Sequence, residues 1–128
     1  MIVADTSALM EILLEQPDAE SCAAVLEAEL QVAMSAGTMA EALIVAGRRG
    51  VGAEMAALID GLGIAVEPVS PAEARRVAEA YRRWGKGVHP ASLNFGDCFA
   101  YALAKELDVP LLYVGEDFAR TDVKAAMT

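Results

Sequence analysis

The chain has 128 residues, 55% apolar and only 5% aromatic, enough for one domain (1–128) with an aliphatic core, and no apolar run nears the roughly 20 residues that span a bilayer. Two isolated cysteines, Cys22 and Cys98, and one histidine, His89, exclude a disulfide framework and a thiolate or imidazole metal site, which leaves only a hard, oxygen-bound ion. A net charge of −9 argues against broad attraction to nucleic acid.

Met1-Ile2-Val3-Ala4 is an unalternated apolar run that stops at Asp5, the pattern of a short strand buried on both faces. Thr6 and Ser7 then open helical spacing through Leu9, Ile12 and Leu13, which predicts a helix from Ser7 to Gln16, capped by Thr6 and stopped by Pro17. Asp18 is the expected N-cap of a second helix to about Ala28. Gln31–Ser35 reads as a second strand, Thr38–Arg48 as a helix, and Val51–Leu62 as another, closed by Gly61 and Gly63. Ile64–Val69 is a third strand. Ser70-Pro71-Ala72-Glu73 combines an N-cap, a proline at the first helical position and a capping glutamate, so a helix is expected from there to about Trp84. Gly85–Pro90 breaks regular structure, Asn94 or Gly96 opens a helix to Leu107, and Pro110–Val114 is the last strand. Gly115 stops it, and Glu116-Asp117-Phe118 begins a short closing helix or turn. No basic segment precedes the first strand, so no secretory signal is expected and the cytoplasm is the expected compartment. Strands alternating with helices predict an α/β/α sandwich, a three-layer fold with a parallel sheet of four or five short strands and right-handed crossovers.

In such a sheet the carboxyl ends of all strands face one edge, where ligands bind. Asp5 ends the first strand. Glu41 lies in the expected first turn of the helix after the second strand, and Asp97 in that of the helix after the 86–94 loop. Glu116 and Asp117 follow the last strand. Three or four carboxylates in one crevice repel one another, and a hard divalent cation is the simplest compensation. With no nucleophilic cysteine and no Ser–His pair, such a site works by activating water on a metal, which suits phosphodiester hydrolysis. Each acid also has a plain structural role to weigh: Thr38-Met39-Ala40-Glu41 is a capping-box pattern, Asp97 complements a helix dipole near Asn94, and one of Glu116 and Asp117 is a turn acid. Asp5 is the hardest to explain structurally, because a carboxylate at the end of a buried strand is costly unless paired or metal-bound.

Other α/β sites with an acid after the first strand lack parts here. A haloacid-dehalogenase-like phosphatase needs a second aspartate where Ser7 stands. A receiver domain needs an acid after a central strand and a lysine after a late one, and neither follows Ile64–Val69 or Leu111–Val114. Gly50-Val51-Gly52 and Gly61-Leu62-Gly63 do not sit between a strand and a helix as a nucleotide loop does.

Together, MIVADTSAL at the start, Thr38–Glu41, Leu93-Asn94-Phe95-Gly96-Asp97-Cys98 and Leu111–Phe118 resemble the PIN-domain ribonucleases, and most closely the VapC-type toxins of VapBC toxin–antitoxin systems. The four segments stand in the right order and spacing over essentially the whole chain. The resemblance implies a Mg2+-dependent endoribonuclease, Mn2+ serving as a substitute. It implies Asp5, Glu41 and Asp97 as the principal acids, with Asp5 and Asp97 on the metal, and Asp117 or its neighbour Glu116 as the fourth acid. Thr6 or Ser7 is implied to help hold the attacking water. It further implies a homodimer, held inactive by a small VapB-type antitoxin, with no membrane and no direct DNA binding.

Charge distribution adds to this. Residues 1–47 hold no Lys or Arg and eight acids, whereas all ten Lys and Arg lie in 48–128 with eleven acids. An acidic protein must receive RNA through local cations, and Arg82, Arg83 and Lys86, leading into the loop before Asp97, are the expected RNA-binding residues, with His89 nearby. Solvated helix faces are the plain reading of the same clusters. Two other functions fit the same acids: a non-catalytic binding or scaffold domain, and a metal-dependent phosphatase or DNA nuclease.

Overall fold

Apolar strands and amphipathic helices alternate along the chain, and the computed structural model, which describes residues 1–127, assembles them as a three-layer α/β/α fold. Four strands, β1 (Ile2–Ala4), β2 (Val32–Ser35), β3 (Ala65–Glu67) and β4 (Leu111–Leu112), form a parallel sheet in the order β3-β2-β1-β4. Val3 pairs with Ala33 on one side and Leu111 on the other, so β1 is central. Alternation within the strands feeds two cores. Ile2, Ala4, Met34 and Leu112 face helices α1 (Thr6–Leu13), α2 (Ala19–Ala28), α3 (Ala36–Arg48) and α4 (Gly52–Gly61). Val3, Ala33 and Leu111 face α5 (Pro71–Trp84) and α6 (Phe95–Leu107). A 3-10 turn (Phe118–Arg120) follows β4, and Ala125 returns to bridge Leu111 as a rudimentary fifth strand. Among the described residues, no helix is long and apolar enough to cross a membrane.

Several boundaries differ from the sequence reading, each for a local reason. Thr6 does not cap α1: Asp5 does, its carboxylate accepting the Ser7 amide at 3.0 Å. The same helix ends at Leu13 rather than Gln16, because Glu15 takes the left-handed conformation and the Gln16 amide bonds back to Glu11 O at 3.0 Å, a C-terminal turn that closes the helix before Pro17. Asp18 stands at the N-cap of α2 without capping it. Ser35, the last residue of β2, caps α3, so the helix starts at Ala36 and Glu41 lies in its second turn. β3 stops at Glu67 because Pro68 has no amide to add to the ladder. Ser70 caps α5 as expected, but Glu73 does not return the bond; it engages Arg76 instead.

Strand order places the site. β1, β2 and β3 step outward in one direction and β4 lies on the opposite side of β1, so the chain reverses between β1 and β4. That switch point opens a crevice beyond their carboxyl ends.

Candidate active site

Asp5 stands at the mouth of that crevice. A cleft of about 290 Å3 is lined by Asp5, Ser7, Asp97, Val114, Gly115, Glu116, Asp117 and Phe118. Gly115, at φ +110°, lets the chain turn off β4 toward the two acids, a conformation side chains disfavour.

Three acids share one arrangement: each gives one oxygen to the fold. Asp5 Oδ2 accepts the Ser7 amide (3.0 Å) and the Ser7 hydroxyl (2.7 Å). Glu41 Oε1 accepts the Thr6 hydroxyl at 2.7 Å. Asp97 Oδ2 accepts the Asn94 amide at 3.0 Å, and Asn94 Oδ1 accepts the Asp97 amide at 2.8 Å, a reciprocal capping box at the start of α6. Asp5 Oδ1 is buried with no hydrogen-bond partner. A buried, unpartnered carboxylate oxygen is costly in water-poor surroundings.

Electrostatics records the crowding. Burial pushes the Asp5 carboxyl up to about 6, the bonds from Ser7 oppose the rise, and the Glu41 charge adds to it. Asp97 is pushed up to about 7, first by burial and then by the charges of Asp5, Glu41 and Asp117, against the Asn94 amide. All four acids therefore share one electrostatic neighbourhood. Glu116 lines the same cleft, but its charge is felt at Tyr113, and Asp117 is the one felt at Asp97. Among the described residues no three acids already enclose a common point as a closed cage. The donor set nonetheless fits a hard divalent cation: it is all oxygen, it holds excess negative charge, and Asp5 Oδ1 lacks any other partner.

A PIN-domain family model matches residues 2–124. The chain belongs to the PIN-domain family. Within it, the chain is 42% identical over 127 residues to Ribonuclease VapC of Mycolicibacterium smegmatis, covering 97% of this chain and 98% of that one. It is 40% identical over 125 residues to Ribonuclease VapC30 of Mycobacterium tuberculosis, covering 95% of each. It is thus a VapC-family PIN domain. The structure of VapC20 of Mycobacterium tuberculosis, described as a sarcin–ricin loop cleaving toxin, superposes with a TM-score of 0.80 at 16% identity over 100% of both chains. A toxin–antitoxin complex from Klebsiella pneumoniae follows at 0.72 and 18% identity, covering 95% of this chain and 93% of that chain. At such identities these two speak for the PIN fold alone.

Within the PIN domain the remaining residues separate. Arg82, Arg83 and Lys86 do not line the acid cleft. Arg82 pairs with Glu79 at 2.6 Å and borders an apolar groove with Tyr81, Phe95 and Phe99. Arg83 lies over the Trp84 ring and 3.9 Å from Asp122, in a different hollow, while Lys86 is exposed on its loop. Trp84 is core, donating to the Tyr101 hydroxyl at 2.8 Å, and His89 packs edge-on against it. The hydroxyl protons of Thr6 and Ser7 go to Glu41 and Asp5 rather than to solvent.

Two supporting residues escaped the sequence reading. Asn94, met there only as a helix start, anchors Asp97; its spacing of three from an acid is a readable capping signal. Gly96 has no such signal. A Cβ on it would meet Glu41 Oε2 at 1.9 Å, so the Glu41 carboxylate keeps its place beside α6 only because residue 96 lacks one.

Proposed function

We propose that this chain, read as a single PIN domain over 1–128, is a Mg2+-dependent endoribonuclease toxin, with Mn2+ able to substitute. The supporting observation is the set of half-engaged carboxylates around the buried, unpartnered Asp5 Oδ1. Its VapC relatives carry the name ribonuclease, and the same reading gives this chain an RNA substrate, a VapB-type antitoxin as inhibitor, a homodimeric state and a cytoplasmic site of action.

Asp5 and Asp97 would hold the ion, with Glu41 and Asp117 completing the acidic set. When bound, the ion supplies a Lewis acid beside the scissile phosphate. The chain's own residues do the rest. Ser7 fixes the Asp5 carboxylate so that Oδ1 faces its ligand without searching rotamers. Thr6 holds Glu41 by Oε1, while Oε2 packs beside Gly96 and the Glu41 charge acts on Asp5 and Asp97. Asn94 holds Asp97 at the lip of α6. Asp117 lines the same cleft and adds its charge to the acid set felt by Asp97.

The test is direct. Asp5→Asn and Asp97→Asn keep shape and remove one charge each, and either lowers Mg2+-dependent RNA cleavage about 100-fold or more. Full cleavage by either variant overturns the site. Calorimetric titration with Mn2+ separates the alternatives: no binding at millimolar metal makes the chain a scaffold, and binding with turnover only of DNA or phosphomonoesters makes it a different hydrolase.

A further inference from the structure

Backbone pairing between β1 and β4 ends early. The Asp5 amide donates to Leu112 O at 3.0 Å, but beyond it the chain has already wound into α1 and offers β4 no further strand. The next outward amide, that of Val114, donates to the Ser7 hydroxyl oxygen at 3.0 Å, 107 residues away in sequence. That same hydroxyl donates its proton to Asp5 Oδ2 at 2.7 Å. A side chain thus supplies the acceptor that the missing strand would have offered, and it is tied to the first acid.

We propose that Ser7 is a positioning residue that clamps the segment after β4 to Asp5, setting the distance across the cleft between Asp5 and Asp117. Its one proton is committed to Asp5 and its lone pair to Val114, so its work is to hold two sides of the cleft together rather than to donate to a water. Without it, Val114 has no acceptor and the turn at Gly115, already free of Cβ constraint, carries Glu116 and Asp117 without an anchor on the β1 side. The proposal rests on the reading of the cleft as a metal-dependent site, but one arm of its test does not.

The experiment compares Ser7→Ala and Ser7→Thr with the unaltered chain in three measurements: NMR hydrogen exchange of the metal-free protein, Mn2+ titration, and RNA cleavage kinetics. In Ser7→Ala the Val114 amide exchanges at least tenfold faster while the Val3 and Asp5 amides, bonded to Pro110 O and Leu112 O, keep their protection. Mn2+ affinity falls about tenfold and kcat falls more than KM rises. Ser7→Thr, which keeps the hydroxyl, retains Val114 protection and metal affinity. Unchanged Val114 exchange in Ser7→Ala overturns the clamp, as does fast exchange with unaltered Mn2+ affinity and kcat. If the unaltered chain binds no Mn2+ and cleaves no RNA, the functional reading falls, and Val114 exchange alone decides whether the clamp exists.

Discussion

At Asp97 a structural role at the start of α6 takes only one oxygen: Oδ2 accepts the Asn94 amide and leaves Oδ1 to other use. The same holds at Asp5, which caps α1 with Oδ2 and leaves Oδ1 unpartnered. The arrangement has a measurable cost. Both acids keep their protons to higher pH when folded than a free aspartate does, so between about pH 4 and pH 7 the folded state binds more protons than the unfolded one. Metal-free stability therefore falls as pH rises through that window. Asp97→Asn removes part of this penalty: in EDTA its Tm exceeds that of the parent by a few degrees at pH 8, roughly 1–2 kcal/mol after allowance for solvent screening, and the gap closes toward pH 4. On the proposed function, protons and metal would compete for the same oxygens, so Mn2+ affinity is expected to climb from pH 5 to 7 and level off above, which titration at stepped pH will show. Gly96→Ala makes a different point. The added methyl displaces the flexible end of Glu41, so cleavage falls at least tenfold while chemical denaturation shifts by less than about 1 kcal/mol. Nothing in the sequence around Gly96 announces that role, since it depends on how closely α3 and α6 pass.

Among the elements, what the sequence announced best were features governed by neighbours in the chain. Ser70-Pro71 opening α5 needed only local chemistry. Misread boundaries were those where two signals overlap. Ser35 ends a strand and caps a helix at once, so the Thr38–Glu41 spacing looked like the cap and Glu41 was placed one turn too early. β4 was read to Val114 from its apolar run, yet its length is set by β1, which has no extended residue left to pair with it. The acids of the cleft were legible because each follows a strand or starts a helix; their hydroxyl and amide partners were not, because those bonds depend on three-dimensional register. α6 offers the element-scale test. Asn94→Ala removes the side-chain half of the capping box and costs about 1 kcal/mol by denaturation. The backbone amide of residue 94 still holds Asp97 Oδ2, so cleavage drops no further than the loosened start of α6 explains; an activity loss that excess Mg2+ fully restores would assign the effect to metal affinity alone.

Over the whole molecule, charge and fold divide along the sheet. The segment without a single Lys or Arg builds β1, α1, α2, β2 and most of α3, whereas α5 carries four arginines. RNA approaching an acidic protein depends on such local cations, and the two arginines at the end of α5 differ in where they lie. Arg82 borders the apolar groove that also takes in Phe95, two residues before Asp97 in the chain, and Arg83 does not. Arg82→Ala is therefore expected to weaken cleavage several-fold and flatten its dependence on salt, with Arg83→Ala changing both far less. Equal effects would return both residues to the role of solvated surface. Divalent cation binding to the folded state alone raises Tm, by the equivalent of about 2.7 kcal/mol at one hundred times Kd, and EDTA reverses it.

The lopsided distribution of charge about the sheet has a practical reach beyond catalysis. A molecule whose α1–α2 side carries acids with no Lys or Arg among residues 1–47 to offset them, and whose α5 carries four arginines, has a permanent electric dipole directed through its sheet. On an anion-exchange resin or a positively charged sensor chip it will settle with α1 and α2 downward and the α5 arginines outward. Immobilised that way, it presents its most cationic helix to whatever flows past.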